Sequence, residues 1–576
     1  MDHLFENREE AWKRLQELKG EVERFNDRFK GRLKELTPSQ FLEALEEYER
    51  LMEEIDRVEV YIFLQFALDS SKGKLLAQFE EEGNRVRSPL LWFELEFIDL
   101  PEELQQKFIE GTPRYRYLLL HWLEEKPYRL GEGEERILLL KSSTSREAFV
   151  RLFDEEMAKL KVEWEGKEVG EEELLAKLYS PDREERRKAQ NLFTEELRKR
   201  LPLLSYIYNQ VKRDWNLTYR EIRGYPSPEE VRHLANRVSR KSVDSLIEAV
   251  NESMGLVERY YRLKQKLLGL EELTDYDRYA PLQLAPTPSQ IPVEEAKERV
   301  VESFKKFDPL FGKIVQKGFE EGWVDFYPKP GKRSGAFSCA TTTDCHPYVL
   351  LNYTGTQRDL FTIAHEMGHA IHQYLSREVG YLQQDTPLTT AETASIFGEM
   401  LLFEKLKGEL ELAPKLQLIA GKLEEVFATI HRQIVFTNFE RRVFEERGEL
   451  EPDQFNSIWF DENRKMFGDS LKLTDNYRLW WSYIPHFYHS PFYCYAYAYA
   501  ALLVFSLFQL YREGFPNFKP LYIQFLKEGG AVPPVEQFKR FGLNLEEPTF
   551  WRKGLTLVEE LLSQFEEGVG KFGRIN

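Results

Sequence analysis

The sequence predicts a mainly α-helical protein with a small β-sheet just ahead of the segment HEMGH at 365–369. Three observations carry that prediction. Apolar residues recur at helical spacing from Asn7 to about Arg200, as at Phe41, Leu45, Tyr48, Met52 and Ile55, in a background of Glu, Lys, Arg and Leu. Strand-like runs are confined to VDFYP at 324–328, GAFSCATTT at 335–343 and YVLLNY at 348–353, separated by Pro and Gly turns. From Thr356 to the C-terminus helical patterns dominate again.

In chain order, the N-terminus MDHLFENREEAWKRL carries charge from its first turn and shows no secretory h-region. Pro38, Pro101, Pro113 and Pro181 each stand where a helix begins, close behind a Thr, Asp or Ser that could cap it. The YPSP turn at 225–228 precedes further helical patterns to about Gly269, and the Pro-rich connector APLQLAPTPSQIP at 280–292 reads as an ordered crossover or a hinge. Leu479 to Tyr511 holds no Asp, Glu, Lys or Arg; Trp480, Trp481, His486, Pro491 and its tyrosines mark a buried helix rather than a membrane span. Only one sheet is expected.

Composition limits the function. The 576 residues suffice for a sizeable core, and 42% hydrophobic with 31% charged residues describe a folded, soluble chain. A net charge of -18 repels phosphate backbones and argues against a general nucleic-acid binder. Three cysteines build no disulfide framework, so a reducing compartment, the cytoplasm, is expected.

The chemistry lies in the histidines. Of ten, His346, His365, His369 and His372 fall within 27 residues. Four helical residues advance by roughly 400°, so His365 and His369 point to one side, about 6 Å apart along the axis, where both can hold one zinc ion. Glu366 between them can act as general base on a metal-activated water. A catalytic zinc needs a third protein ligand. His372 is a poor one, because three adjacent positions of one straight helix do not wrap a tetrahedral ion; it reads as a packed, hydrogen-bonded histidine. Glu392, in PLTTAETASIFGEML, is the better candidate, its alternative being a capping box with Thr389. Glu399, seven residues on, is either a hydrogen-bond acceptor behind a ligand imidazole or a surface residue.

The apolar strand YVLLNY could offer a free edge to an extended peptide or be an ordinary hairpin strand. His486, His489, Tyr493, Tyr495 and Tyr497 in IPHFYHSPFYCYAYAYA form the pool of donors for a developing oxyanion, set against plain packing for a run of tyrosines. Cys339 and Cys345 read as buried thiols.

HEMGHAIH at 365–372, TAETASIFGE at 390–399 and PHFYHSPFYCYAYA at 485–498 resemble the three active-site segments of the thimet oligopeptidase and oligoendopeptidase F group of zinc metallopeptidases, peptidase family M3. LLNYTGTQRDLFTIA leads into them as in the oligoendopeptidase F branch. The resemblance implies one zinc per chain held by His365, His369 and Glu392, with Glu366 as base. It implies substrate-carbonyl and oxyanion contacts from His486 or His489 with Tyr488, Tyr493 or Tyr495. It implies an all-helical ellipsoid cut by a deep channel that admits short unstructured oligopeptides. In that picture 1–200 is a helical domain forming one channel wall, and 201–576 is the catalytic domain, with the zinc site at 365–399 and a substrate-binding segment at 484–500. The expected activity is cleavage of internal peptide bonds. The alternatives are a related zincin acting as a peptidyl-dipeptidase or carboxypeptidase, and a non-catalytic helical peptide-binding protein.

Overall fold

A computed structural model describes residues 1–142 and 144–575. The helices that position the sites are α1 (Pro38–Leu68), α2 (Arg183–Trp215), α3 (Gln357–Ser376), α4 (Leu388–Ala391), α5 (Ser395–Glu409), α6 (Arg432–Glu445), α7 (Tyr495–Arg512), α8 (Phe518–Lys527) and α9 (Pro548–Ile575). The strands are β1 (Lys161–Trp164), β2 (Lys167–Gly170), β3 (Val324–Asp325), β4 (Phe337–Cys339) and β5 (Tyr348–Leu350). The molecule is mainly α, with its small mixed sheet packed beside α3.

Local chemistry explains where helices begin. Thr37 and Gln40 cap α1 reciprocally, the Thr37 hydroxyl accepting from Gln40 N–H at 3.2 Å and Gln40 Oε1 accepting from Thr37 N–H at 2.9 Å. Pro181 precedes α2 as expected, but the cap is Asp182, whose Oδ1 accepts from Glu184 N–H at 2.9 Å. Pro113 opens only a three-residue 3₁₀ turn, Pro113–Tyr115.

The expectation of one sheet is corrected by an antiparallel hairpin pairing β1 with β2. Its turn places Glu165 at φ 51° and Gly166 at φ 79°, two left-handed residues whose twist matches the flanking strands. Val162, Trp164 and Val169 are its buried positions. In the second sheet the order is β3-β5-β4, with β3 parallel and β4 antiparallel to β5. The YVLLNY strand is therefore central and offers no free edge; the edge beside α3 belongs to β4.

By compactness the chain divides into two units, 1–126 with 287–408 and 514–543, and 127–286 with 409–513 and 544–576. This division differs from the linear one at 200/201. The first unit's core includes Phe41, stacked on Phe108 with centroids 4.2 Å apart, and Phe93. The second is built around Tyr208, Phe439, Trp459, Trp481 and Phe487. The connector at 280–292 has neither helix nor strand but is tied at both ends. Leu284 N–H donates to Gln417 Oε1 at 2.9 Å in the second unit, and Ile291 N–H to the Gly355 carbonyl at 2.9 Å in the first.

The uncharged stretch is interior structure. Trp480, Trp481 and nearly all of α7 are buried, and α7 packs along α9. Among the described residues no helix is long and apolar enough to cross a membrane.

Candidate metal centre

Helix α3 carries the HEMGH segment and is fixed at its N-terminus by a capping box. Thr356 Oγ1 accepts from Asp359 N–H at 3.1 Å, and Asp359 Oδ2 accepts from the N–H of Thr356 (3.2 Å) and of Thr354 (2.8 Å). Burial alone would raise the Asp359 pKa; these hydrogen bonds bring it below the ordinary carboxylate value. Leu360, Ile363, Ala364, Met367 and Ile371 bury one face of the helix and leave His365 and His369 on the other.

The two imidazoles stand 4.8 Å apart, nearly perpendicular at 83°. Glu392 arrives from the next segment because the chain breaks between α4 and α5, with Glu392 at φ -90° and ψ 5°. The cap of α4 is Pro387, so the Thr389 capping box does not form. Instead Glu392 Oε2 lies 3.3 Å from both His365 Nε2 and His369 Nε2, and accepts from Ser395 Oγ at 2.5 Å. Two donors each ~2.1 Å from a tetrahedral zinc lie about 3.4 Å apart, a spacing the two Glu392–imidazole pairs match, and the three donor atoms all lie within 4.8 Å of one another, so the set could hold a metal ion. It is also the one group of acidic, histidine or cysteine side chains so arranged among the described residues. Glu399 pairs with His365 Nδ1, which orients that ring and leaves Nε2 toward Glu392.

The electrostatics agree with the geometry. Burial opposes charging of His365, yet Glu392 and Glu399 push its pKa up to about 10. Burial would raise Glu392, but the two imidazoles hold it far below the carboxylate range.

Glu366 is buried, its Oε2 has no hydrogen-bond partner, and burial raises its pKa against the pull of His369 and His365. It lines a cavity of about 610 Å³ together with His365, His369, Glu392 and the β4 edge at 336–338. His372 lines the same cavity and is packed as expected, but it is not hydrogen-bonded at Nε2, and burial lowers its pKa to about 3. Gln373, not singled out in the sequence, binds the edge strand: Ser338 Oγ donates to its Oε1 at 2.6 Å, and its Nε2 donates to the Ser338 carbonyl at 3.2 Å. Cys339 and Cys345 are free thiols, and burial pushes Cys339 up to about 12.

The donor pool at 484–500 lies in the second unit and separates into two kinds. His486 Nε2 meets Tyr497 Oη at 3.1 Å, and Tyr493 stacks on His486, all three at least partly exposed. His489 Nε2 meets Asp154 Oδ1 at 2.6 Å. Tyr495, expected in the pool, is fully buried with its hydroxyl engaged by His233 Nδ1 (2.8 Å) and Asn236 Nδ2 (2.9 Å). Tyr488 is buried too and donates to the Ser482 carbonyl at 2.9 Å. Phe492 left no signal in the sequence: it is a buried residue at φ 59° whose N–H donates to Glu440 Oε2 at 2.7 Å. Such left-handed geometry costs of order 1–3 kcal/mol in a bulky residue and turns the chain between His489 and Tyr493.

The family model described as peptidase family M3 matches residues 176–557. This chain belongs to peptidase family M3. A second family model, described as Oligopeptidase F, matches residues 96–161. Similar M3 relatives include Oligopeptidase PepF of Bacillus subtilis, 29% identical over 97% of this chain and 85% of that protein. An Oligoendopeptidase F homolog of Borreliella burgdorferi is 28% identical over 95% of this chain and 93% of that protein. Among solved structures, a Chlamydophila abortus protein superposes with a TM-score of 0.87 at 24% identity, covering 98% and 97% of the two chains. Oligoendopeptidase-F from Enterococcus faecium gives 0.70 at 22% identity, covering 97% and 98%. These structures show that the fold is shared.

Proposed function

We propose that this M3 peptidase is a zinc-dependent endopeptidase that hydrolyses internal bonds of short oligopeptides, with Glu366 as general base. The observation that carries the reading is the convergence of His365, His369 and Glu392, with Glu392 Oε2 3.3 Å from each imidazole Nε2, beside Glu366, whose Oε2 has no hydrogen-bond partner, in one cavity. Relatives named oligopeptidase and oligoendopeptidase support the substrate class.

His365, His369 and Glu392 would hold one zinc per chain, and zinc supplies Lewis acidity that makes water nucleophilic near neutral pH. The protein's own part is proton handling. Glu366 takes the proton of the attacking water at its free Oε2 and returns it to the leaving amine, a task suited by its raised pKa. Glu399 keeps the His365 tautomer fixed. Phenol and imidazole donors of the His486, Tyr493 and Tyr497 cluster are assigned to the substrate carbonyl and oxyanion on their chemistry. Residues 1–200 are assigned to one wall of the substrate channel and 201–576 to catalysis, and three free cysteines suit a reducing cytoplasm.

Mass spectrometry of a mixed peptide pool, with and without a chelator, tests the whole reading. Internal cuts in end-blocked peptides that vanish with the chelator are expected; release of C-terminal residues alone would move the protein to the exopeptidase alternative. Glu366→Gln should keep zinc and lose roughly a thousandfold or more in kcat, and near-normal turnover would remove Glu366 as base.

A further inference from the structure

The second unit contains a pair of cations that the peptidase reading does not use. Arg278 is 6% exposed, and its Nη2 donates to Tyr279 Oη while Nη1 donates to Tyr477 Oη at 3.2 Å. Arg432 Nη1 donates to the same Tyr279 oxygen, and its Nη2 reaches Tyr483 Oη only at 3.5 Å. The Arg278 Nε–H has no partner. Around the guanidiniums lie rings: Arg278 Cζ is 4.3 Å from the Tyr279 centroid, and Arg432 Cζ 5.1 Å from that of Phe436.

No carboxylate among the described residues pairs with either arginine. The nearby acids hydrogen-bond elsewhere, Asp275 acting on Arg278 through space alone. Asp277 is held by Arg183 (3.0 Å) and Arg186 (2.9 Å), and Glu424 by Lys264 (2.6 Å). Asp275 accepts from Thr474 N–H at 2.6 Å and Thr474 Oγ1 at 2.7 Å. Two largely desolvated guanidiniums that share the Tyr279 oxygen and otherwise donate only to the Tyr477 and Tyr483 phenols among the described side chains are unfavourable unless an anion joins them. The Tyr279 phenol answers in part: burial works against its ionisation, but the two guanidiniums draw its pKa below the ordinary value. Even as tyrosinate it would balance one charge of two.

The cluster is reachable. Tyr279, Arg432 and Tyr483 are partly exposed, and Tyr179, stacked on Tyr279 at 4.9 Å, is 59% exposed. Arg432 is aimed by a π-helical turn, Phe427–His431, directly before it, a distortion frequent at functional sites.

We propose that Arg278 and Arg432, joined through the Tyr279 hydroxyl, form a binding site for a carboxylate or comparable oxyanion. Guanidinium forks match a planar carboxylate, and the Tyr483 hydroxyl supplies a further donor. Two sources share this chemistry, the C-terminal carboxylate of a peptide and a small free anion. The site includes no residue of the metal centre, so it stands or falls separately from the peptidase reading.

Isothermal calorimetry on the full chain tests it, with N-acetyl-dialanine, its C-terminal amide, acetate and inorganic phosphate as probes. Saturable anion binding is expected, about tenfold or more weaker for the amide and in Arg432→Gln. Acid peptide binding far tighter than acetate assigns the site to a peptide terminus, and equal binding assigns it to free anions; either supports the proposal. Absence of saturable anion binding, or undiminished binding in a folded Arg432→Gln, overturns it. Anions that land on the metal instead would bind that variant unchanged and so count against it. Should Arg432→Gln fail to fold, Tyr483→Phe carries the comparison, with weaker anion binding expected and unchanged binding overturning.

Discussion

At the scale of single residues, the candidate metal centre separates the proposed ligands from the group that orients one of them. Glu392→Ala removes a donor 3.3 Å from both imidazoles, and dialysed protein should retain far less zinc. Glu399→Ala leaves all three donors in place but withdraws the acceptor behind His365 Nδ1, so zinc affinity by chelator competition should fall about 10–100-fold. That His365 and His369 face one side was legible in the sequence because the helical period fixes which positions share a side. Glu399 was not, since the same period fits a solvated residue equally well. Nor could the tyrosines be sorted: the Tyr495 hydroxyl is engaged by His233 and Asn236, far away in the chain, while Tyr497 meets His486.

At the scale of elements, the close approach of α3 to the 392–395 segment rests on Gly368. A Cβ there would meet the Ala394 carbonyl and come within 2.7 Å of Ser395 Cα, both backbone atoms that cannot turn aside. Gly368→Ala should therefore destabilise by about 1–3 kcal/mol in chemical denaturation and weaken zinc binding as well, although it touches no ligand. Helices were readable from apolar spacing and proline starts, because both act locally. Sheet order was not, because β3 joins β5 in parallel by a crossover that strand composition does not specify. The β1–β2 hairpin left a weak signal, the alternation of Val162, Trp164 and Val169 around Glu165-Gly166, easily lost in a charged helical background.

For the whole molecule, acid sensitivity and metal dependence are the measurable quantities. Glu229 is buried and would be raised by burial, but His233 and Arg441 hold it down at about 2. Its folded value lies below the ordinary 4.5, so its contribution to stability is complete above about pH 4.5 and fades as the pH falls toward 2. Glu229→Gln should lower stability at neutral pH and flatten the acid limb of the melting curve. Zinc should raise the melting temperature and a chelator lower it, since a ligand bound only by the folded state adds ~2.7 kcal/mol at a hundredfold excess over Kd.

The interleaving of the two units bears on how the enzyme matures during synthesis. His365, His369 and Glu392 leave the ribosome together, but α3 is buried partly by α8, and Tyr522 of α8 donates its hydroxyl proton to the Thr393 carbonyl at 3.0 Å, next to the third donor. Those supports are translated more than a hundred residues after the donors themselves. A nascent chain halted before residue 514 would carry His365, His369 and Glu392 and still lack the scaffold that aligns them, so stalled or truncated products should emerge metal-poor and inert toward peptides.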